Sequence, residues 1–86
     1  MYAVIYEKRV CKDLDVIGVN DLRRVLDIFE ELKQIPIPVK SKKLSGHAGL
    51  YRIRQGDYRV VYIVDHKLKE VKIILVRHRK DSYRYL

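Results

Sequence analysis

Hydrophobic positions along this 86-residue chain switch between strand and helix spacing, and each switch marks an element. Tyr2-Ala3-Val4-Ile5-Tyr6 is a short β-prone run that reads as an edge or partly covered strand. From Lys8 the spacing turns helical: Val10, Leu14 and Ile17 recur on one side, and Gly18 ends the segment. A second helix follows, with Asn20 as its predicted N-cap and Asp21 favourable near its positive end. Leu22, Val25, Leu26, Phe29 and Leu32 form its apolar stripe, while Arg23, Arg24, Asp27, Glu30 and Glu31 face outward. Ile35-Pro36-Ile37-Pro38 stops it, because proline cannot continue the hydrogen-bond ladder. The two helices form a hairpin with one apolar side, which needs a sheet to cover.

Lys40 to Gly49 reads as a basic loop, with Lys40, Lys42, Lys43 and His47 and two glycines. Three strand-like runs follow, Leu50–Gln55, Tyr58–Asp65 and Glu70–His78. A tight turn at Gly56-Asp57 and a longer one through His66-Lys67-Leu68-Lys69 join them into an antiparallel meander. In the middle run both parities are apolar (Val60, Tyr62, Val64 and Val61, Ile63), as expected of a central strand covered on both faces. The predicted class is α+β in the order β-α-α-β-β-β: a helical hairpin packed on a small, mainly antiparallel sheet. The length fits one domain over residues 1–86, with no repeats or low-complexity tracts.

Charge changes this picture most. Residues 1–39 hold six Lys/Arg against seven Asp/Glu, a net of −1, and residues 40–86 hold thirteen against four, a net of +9. A one-sided field of this kind points to a polyanionic partner, nucleic acid first, ahead of a ribosomal or acidic-protein contact or a solvated basic face. The single cysteine, Cys11, excludes an intrachain disulfide and fits a reduced, cytoplasmic compartment. No stretch approaches membrane-spanning length, and Glu7, Lys8 and Arg9 interrupt the first apolar run before it resembles a signal peptide. No CxxC, HExxH, P-loop or GxGxxG pattern occurs, so metal, nucleotide-cofactor and Ser/Cys-nucleophile chemistry have no sequence support.

The chemistry therefore rests on arginine and tyrosine. Arg52 and Arg54 lie two apart on a strand and share a face, opposite to Tyr51 and Ile53. Arg59 comes just past the turn on the paired strand, and Arg77 and Arg79 leave the third strand together. Clustered guanidiniums repel, a bound anion relieves that repulsion, and their planar fork matches phosphate oxygens. The opposing reading pairs these arginines with Asp57, Asp65 or Asp81, but four acids in this half cannot neutralise thirteen bases. Arg52, Arg77, Lys43 and Lys80 are accordingly predicted to bind RNA. Tyr51, Tyr58 and Tyr62 fall within strands, where a buried ring with a hydrogen-bonded hydroxyl is the expected role. Tyr83 and Tyr85 follow the arginine-rich end, where a phenol near cations can act as a general base or stack on a nucleobase. Ordinary surface roles are expected for His47, His66 and His78.

Leu44-Ser45-Gly46, then Leu50-Tyr51-Arg52-Ile53-Arg54-Gln55-Gly56-Asp57-Tyr58-Arg59-Val60-Val61-Tyr62, then His78-Arg79-Lys80-Asp81-Ser82-Tyr83 resemble the RelE-like toxins of the RelE/ParE superfamily. The N-terminal half agrees in element order alone. The resemblance implies a small sheet packed against two helices and a ribosome-dependent endoribonuclease that cuts messenger RNA in the A site. It also implies a cognate antitoxin, and no cofactor or metal. By resemblance Arg54, Arg59, Arg79 and Tyr83 are the catalytic set. Arg52 and Arg54 stand where the family places basic residues, often lysines, and Tyr85 is the alternative to Tyr83 at another spacing. Arginine in place of lysine limits positions 52 and 54 to electrostatics, which puts the proton transfer on a tyrosine. The resemblance implies two other functions. ParE-like members share the fold but inhibit DNA gyrase, usually without the full arginine set and the C-terminal tyrosine. A catalytically inactive domain that binds RNA or a partner is the third.

Overall fold

The computed structural model describes residues 1–82, without the side chains of Asp81 and Ser82. Along the chain run β1 (Ala3–Tyr6), α1 (Lys8–Asp15), α2 (Val19–Gln34), β2 (Lys42–Lys43), β3 (Leu50–Gln55), β4 (Tyr58–Asp65), β5 (Glu70–His78) and α3 (Arg79–Ser82). The strands form one sheet in the order β1-β5-β4-β3-β2. β1 runs parallel to β5, and every other pairing is antiparallel. The α+β class, the helical hairpin and the bounds of the three-stranded meander agree with the sequence reading.

One face of the sheet packs on the long helices. Val10 and Ile17 of the first helical segment and Val25, Ile28, Phe29 and Leu32 of α2 close over Ile53, Val60, Tyr62, Val64, Val71, Ile73 and Val76. Strand periodicity puts the intervening residues on the opposite face. There too β4 is covered, since Arg59 and Val61 are both buried, as the apolar character of both its parities implied.

Three details differ from expectation. Gly18, with extended backbone, is the N-cap of α2, and Asn20 lies inside the helix. The buried stripe of α2 runs through Ile28, whereas Leu26 is turned outward. A period of 3.6 assigns the positions between 25 and 29 to one side or the other by a fraction of a turn, so these neighbours are easily exchanged. The basic loop also carries a two-residue strand, β2, pairing Lys42 with Arg52 and Lys43 with Tyr51.

The sheet has one irregular edge. β1 covers only Glu70 to Ile73 of β5. Opposite the Val61–Tyr62 step of β4, Ile74 is an extra residue in the ladder, a β-bulge. Past that point α1 takes over from β1: Arg9 Nε donates to the Ile74 carbonyl (3.0 Å), and the Val76 N–H donates to Asp13 Oδ2 (3.0 Å). Backbone groups that would otherwise form an open strand edge are thus capped by helix side chains.

Candidate nucleic-acid interface

Strand register assembles the arginines. Arg54 of β3 is the partner of Arg59 of β4, and Arg59 is the partner of Arg77 of β5. Directly paired residues share a face, so three guanidinium side chains stand in one row across three strands. The next row on that face is Arg52, Val61 and Leu75, with Lys42 of β2 beyond Arg52. The row lies on the face away from the two long helices.

The members of this row differ in their surroundings. Arg54 is exposed and Arg59 is only 7% exposed. Among the described residues neither side chain has a hydrogen bond or an ion pair. Like charges side by side at an effective dielectric near 20 repel by about 1–3 kcal/mol, and burying a cation without a partner adds to that. Arg77 is different. Its Nη1 forms an ion pair with Asp13 Oδ1, and Asp13 is itself 8% exposed. An acid from the weakly charged N-terminal half thus neutralises one base of the C-terminal half.

Arg79 opens α3 beside the β3–β4 turn. Its backbone N–H donates to the Asp57 carbonyl (2.6 Å), and its Nε lies 3.8 Å from Asp57 Oδ1. Both side chains are more than half exposed, so the backbone bond is the firmer tether and the ion pair contributes little. Next to it, the Tyr58 and His78 rings meet edge to face at 5.4 Å, and His78 Nδ1 accepts the Lys80 N–H. These contacts bring the start of α3 to the turn that follows Arg54.

Arg52, Arg54, Arg59 and Arg77 are therefore gathered on one face, with Arg79 and Lys80 at its C-terminal end. Lys43 is not part of this group: it is in register with Tyr51, on the parity the helices cover, although exposed at the sheet margin. Lys42 holds the corresponding place on the arginine face. Tyr83 and Tyr85 lie outside the described residues. Among the described residues no group of three or more His, Cys, Asp or Glu is placed to hold a metal ion.

Tyr62 departs from the expected role for strand tyrosines. Its ring is fully buried and stacked on Tyr51 at 5.9 Å, yet among the described residues its hydroxyl has no hydrogen-bond partner. The nearby Ser41 hydroxyl donates to the Pro38 carbonyl instead. Burial pushes the Tyr62 phenol up to about 12, against a smaller lowering by Ser41. Such a group stays neutral and serves packing.

Two residues of this region escaped the sequence reading. Asp13 sits on the apolar side of the first helix, three residues after the buried Val10. A carboxylate at such a position needs a buried partner, and that was the available signal. Lys42 was passed over because the pairing of β2 decides which of two adjacent lysines joins the arginines.

Comparison with known proteins adds a lineage to this geometry. The family model for the ParE toxin of the type II toxin–antitoxin system parDE matches residues 4–83. Putative toxin RelE1 of Methanocaldococcus jannaschii is 35% identical, with 96% of each chain covered. Toxin RelG of Mycobacterium tuberculosis is 31% identical, covering 96% of this chain and 97% of its own. Among solved structures, the archaeal RelE–RelB complex of Pyrococcus horikoshii superposes with a TM-score of 0.83 at 36% identity, covering 93% of this chain and 97% of that one. The fold and the sequence likeness over almost the whole chain agree: the protein belongs to the RelE/ParE family of toxins from type II toxin–antitoxin systems, as a RelE-like member.

Proposed function

We propose that this toxin is an endoribonuclease that cuts messenger RNA in the ribosomal A site. The observation that carries the reading is the pair Arg54–Arg59, two adjacent guanidiniums on one sheet face without an acidic partner among the described residues. A phosphodiester oxyanion is the ligand that such a pair lacks. In the reaction the ribose 2′-hydroxyl gives its proton to Tyr83 or Tyr85, ionised to the phenolate beside the cations, and its oxygen bonds to the adjacent phosphorus. Arg54 and Arg59 stabilise the charge that grows on the non-bridging oxygens. The bond from phosphorus to the 5′-oxygen breaks, with Arg79 stabilising the departing oxygen until solvent protonates it. The products carry a 2′,3′-cyclic phosphate or its hydrolysed form and a 5′-hydroxyl. The scheme requires no metal. Arg52, Lys42 and Lys80 supply further contacts to the RNA backbone, and Lys43, on the opposite parity, does not.

A cognate antitoxin is the second proposed partner, because relatives were solved as RelE–RelB complexes. The surface between β1 and α2 is suited to an amphipathic segment: Val4, Tyr6, Leu26 and Phe29 line a groove edged by Glu30 and Lys33. A cytoplasmic location follows from a messenger RNA substrate presented by the ribosome. No described helix is long and apolar enough to cross a membrane.

The matching family model carries the ParE description, which keeps gyrase inhibition as the competing activity. Induced expression, alone and with the neighbouring open reading frame, separates the readings. Messenger cleavage within translated frames, relieved by the neighbouring product, supports the nuclease. Arrest with DNA damage and intact messages supports gyrase poisoning. Absence of arrest supports an inactive binding domain.

A further inference from the structure

Arg77 completes the arginine row, but its chemistry is already committed. Asp13 holds it as an ion pair, and the same carboxylate accepts the Val76 N–H at 3.0 Å. The backbone bond fixes Asp13 at the edge of β5, so Arg77 is drawn to that edge and away from the centre of the row. Asp13 is 8% and Arg77 19% exposed, whereas Arg54, at the other end of the row, is open to solvent. Pulling Arg77 off to grip a phosphate would strand a buried carboxylate, a larger loss than one solvent-exposed phosphate contact returns.

We propose that Asp13 is a positioning residue that withholds Arg77 from RNA and so limits the toxin's affinity for single strands in general. With Arg77 neutralised, the row offers a polyanion two cations, Arg54 and Arg59, instead of three. A cutter that must act on RNA presented by a ribosome gains from weak attachment to free RNA, and this part of the inference rests on the proposed nuclease function. The withholding itself does not. It is a statement about which side chains touch phosphates.

Salt dependence counts those contacts. Each phosphate neutralised on a single strand steepens the slope of log affinity against log salt by about 0.7. The experiment is anisotropy of a labelled, unstructured oligouridylate with the full-length protein between about 50 and 200 mM salt. Asp13→Asn keeps the size of the side chain and an acceptor for Val76, and removes the charge. It is expected to steepen the slope by about 0.7 and to tighten binding about fivefold at about 0.1 M salt. Asp15→Asn, an exposed change of equal charge on the same helix, is expected to leave the slope as it is. The double variant Asp13→Asn/Arg77→Gln strands no charge and is expected to return to the wild-type slope.

An unchanged slope for Asp13→Asn overturns the proposal, as does an equal steepening by Asp15→Asn. If Asp13→Asn does not fold, the double variant decides alone: a slope shallower than wild type by about 0.7 means that Arg77 touches RNA already, and the proposal fails. Absence of oligouridylate binding by every variant also overturns it. Wild-type binding without messenger cleavage, with the predicted slopes, leaves Asp13 in this role and removes only the nuclease reading.

Discussion

Arg54 and Arg59 are direct register partners across the β3–β4 hairpin, one exposed and one buried, and neither has an acid beside it among the described residues. Such an arrangement opposes folding, so its presence is best explained by what it binds. Replacing Arg59 with a long apolar side chain separates the two effects. Arg59→Met removes a buried unpaired cation and is expected to raise stability by about 1–3 kcal/mol in urea denaturation. The same change is expected to lower RNA cleavage about 100- to 1,000-fold, the usual loss for one oxyanion donor. Arg54→Met, at an exposed position, is expected to leave stability within about 0.5 kcal/mol. A marked loss of stability for Arg59→Met would show that the guanidinium is satisfied and structural.

The hidden hydroxyl of Tyr62 ties stability to alkaline pH. The unfolded chain releases this proton near the ordinary value of 10, while the folded protein keeps it up to about 12. Across that window the unfolded state binds fewer protons, so stability falls as pH rises, by at most about 3 kcal/mol. Tyr62→Phe removes the effect. At neutral pH the variant is expected to match wild type or exceed it by up to about 1 kcal/mol, since the hydroxyl makes no hydrogen bond among the described residues. Comparing the two proteins by denaturation from neutral pH to about 12 isolates the contribution of Tyr62, since every other group is common to both. A constant difference over that range would contradict the buried, neutral phenol.

Much of this fold could be read from the chain because strand and turn signals are local. Gly56-Asp57 between two alternating runs placed the β3–β4 hairpin, and Arg54 and Arg59 came together as soon as that turn was tight. Arg59 against Arg77 needed the β4–β5 register, which the bulge at Ile74 shifts by one residue. Counting acids in the C-terminal half led to the conclusion that its arginines were unpaired. Asp13 lies 64 residues before Arg77, and only the packing of α1 against the open edge of β5 brings them together. Lys42 and Lys43 were indistinguishable until β2 paired. The tyrosines proposed as the base are outside the described residues, so their place rests on sequence likeness.

For the base, phenylalanine substitution is the direct probe. Tyr83→Phe is expected to lower single-turnover cleavage about 100- to 10,000-fold with RNA affinity within about twofold, as for loss of a general base. Full activity of Tyr83→Phe would transfer the role to Tyr85, to be checked by Tyr85→Phe.

The antitoxin surface is separable from the arginine face. Leu26 is 43% exposed and borders the groove between β1 and α2, so Leu26→Glu is expected to leave folding and cleavage intact. Placing a charge in an apolar contact should weaken capture of the antitoxin by at least about tenfold in a titration. Unaltered affinity would move the docking site elsewhere.

The nuclease claim is tested most directly by incubating the purified toxin with ribosomes stalled on a defined message and mapping the chemistry of the ends. The account predicts cleavage within the A-site codon, a 2′,3′-cyclic phosphate or its hydrolysed form upstream, a 5′-hydroxyl downstream, and loss of both fragments with Arg59→Met. Intact message alongside inhibited gyrase supercoiling, or cleavage leaving a 3′-hydroxyl and a 5′-phosphate, would contradict it.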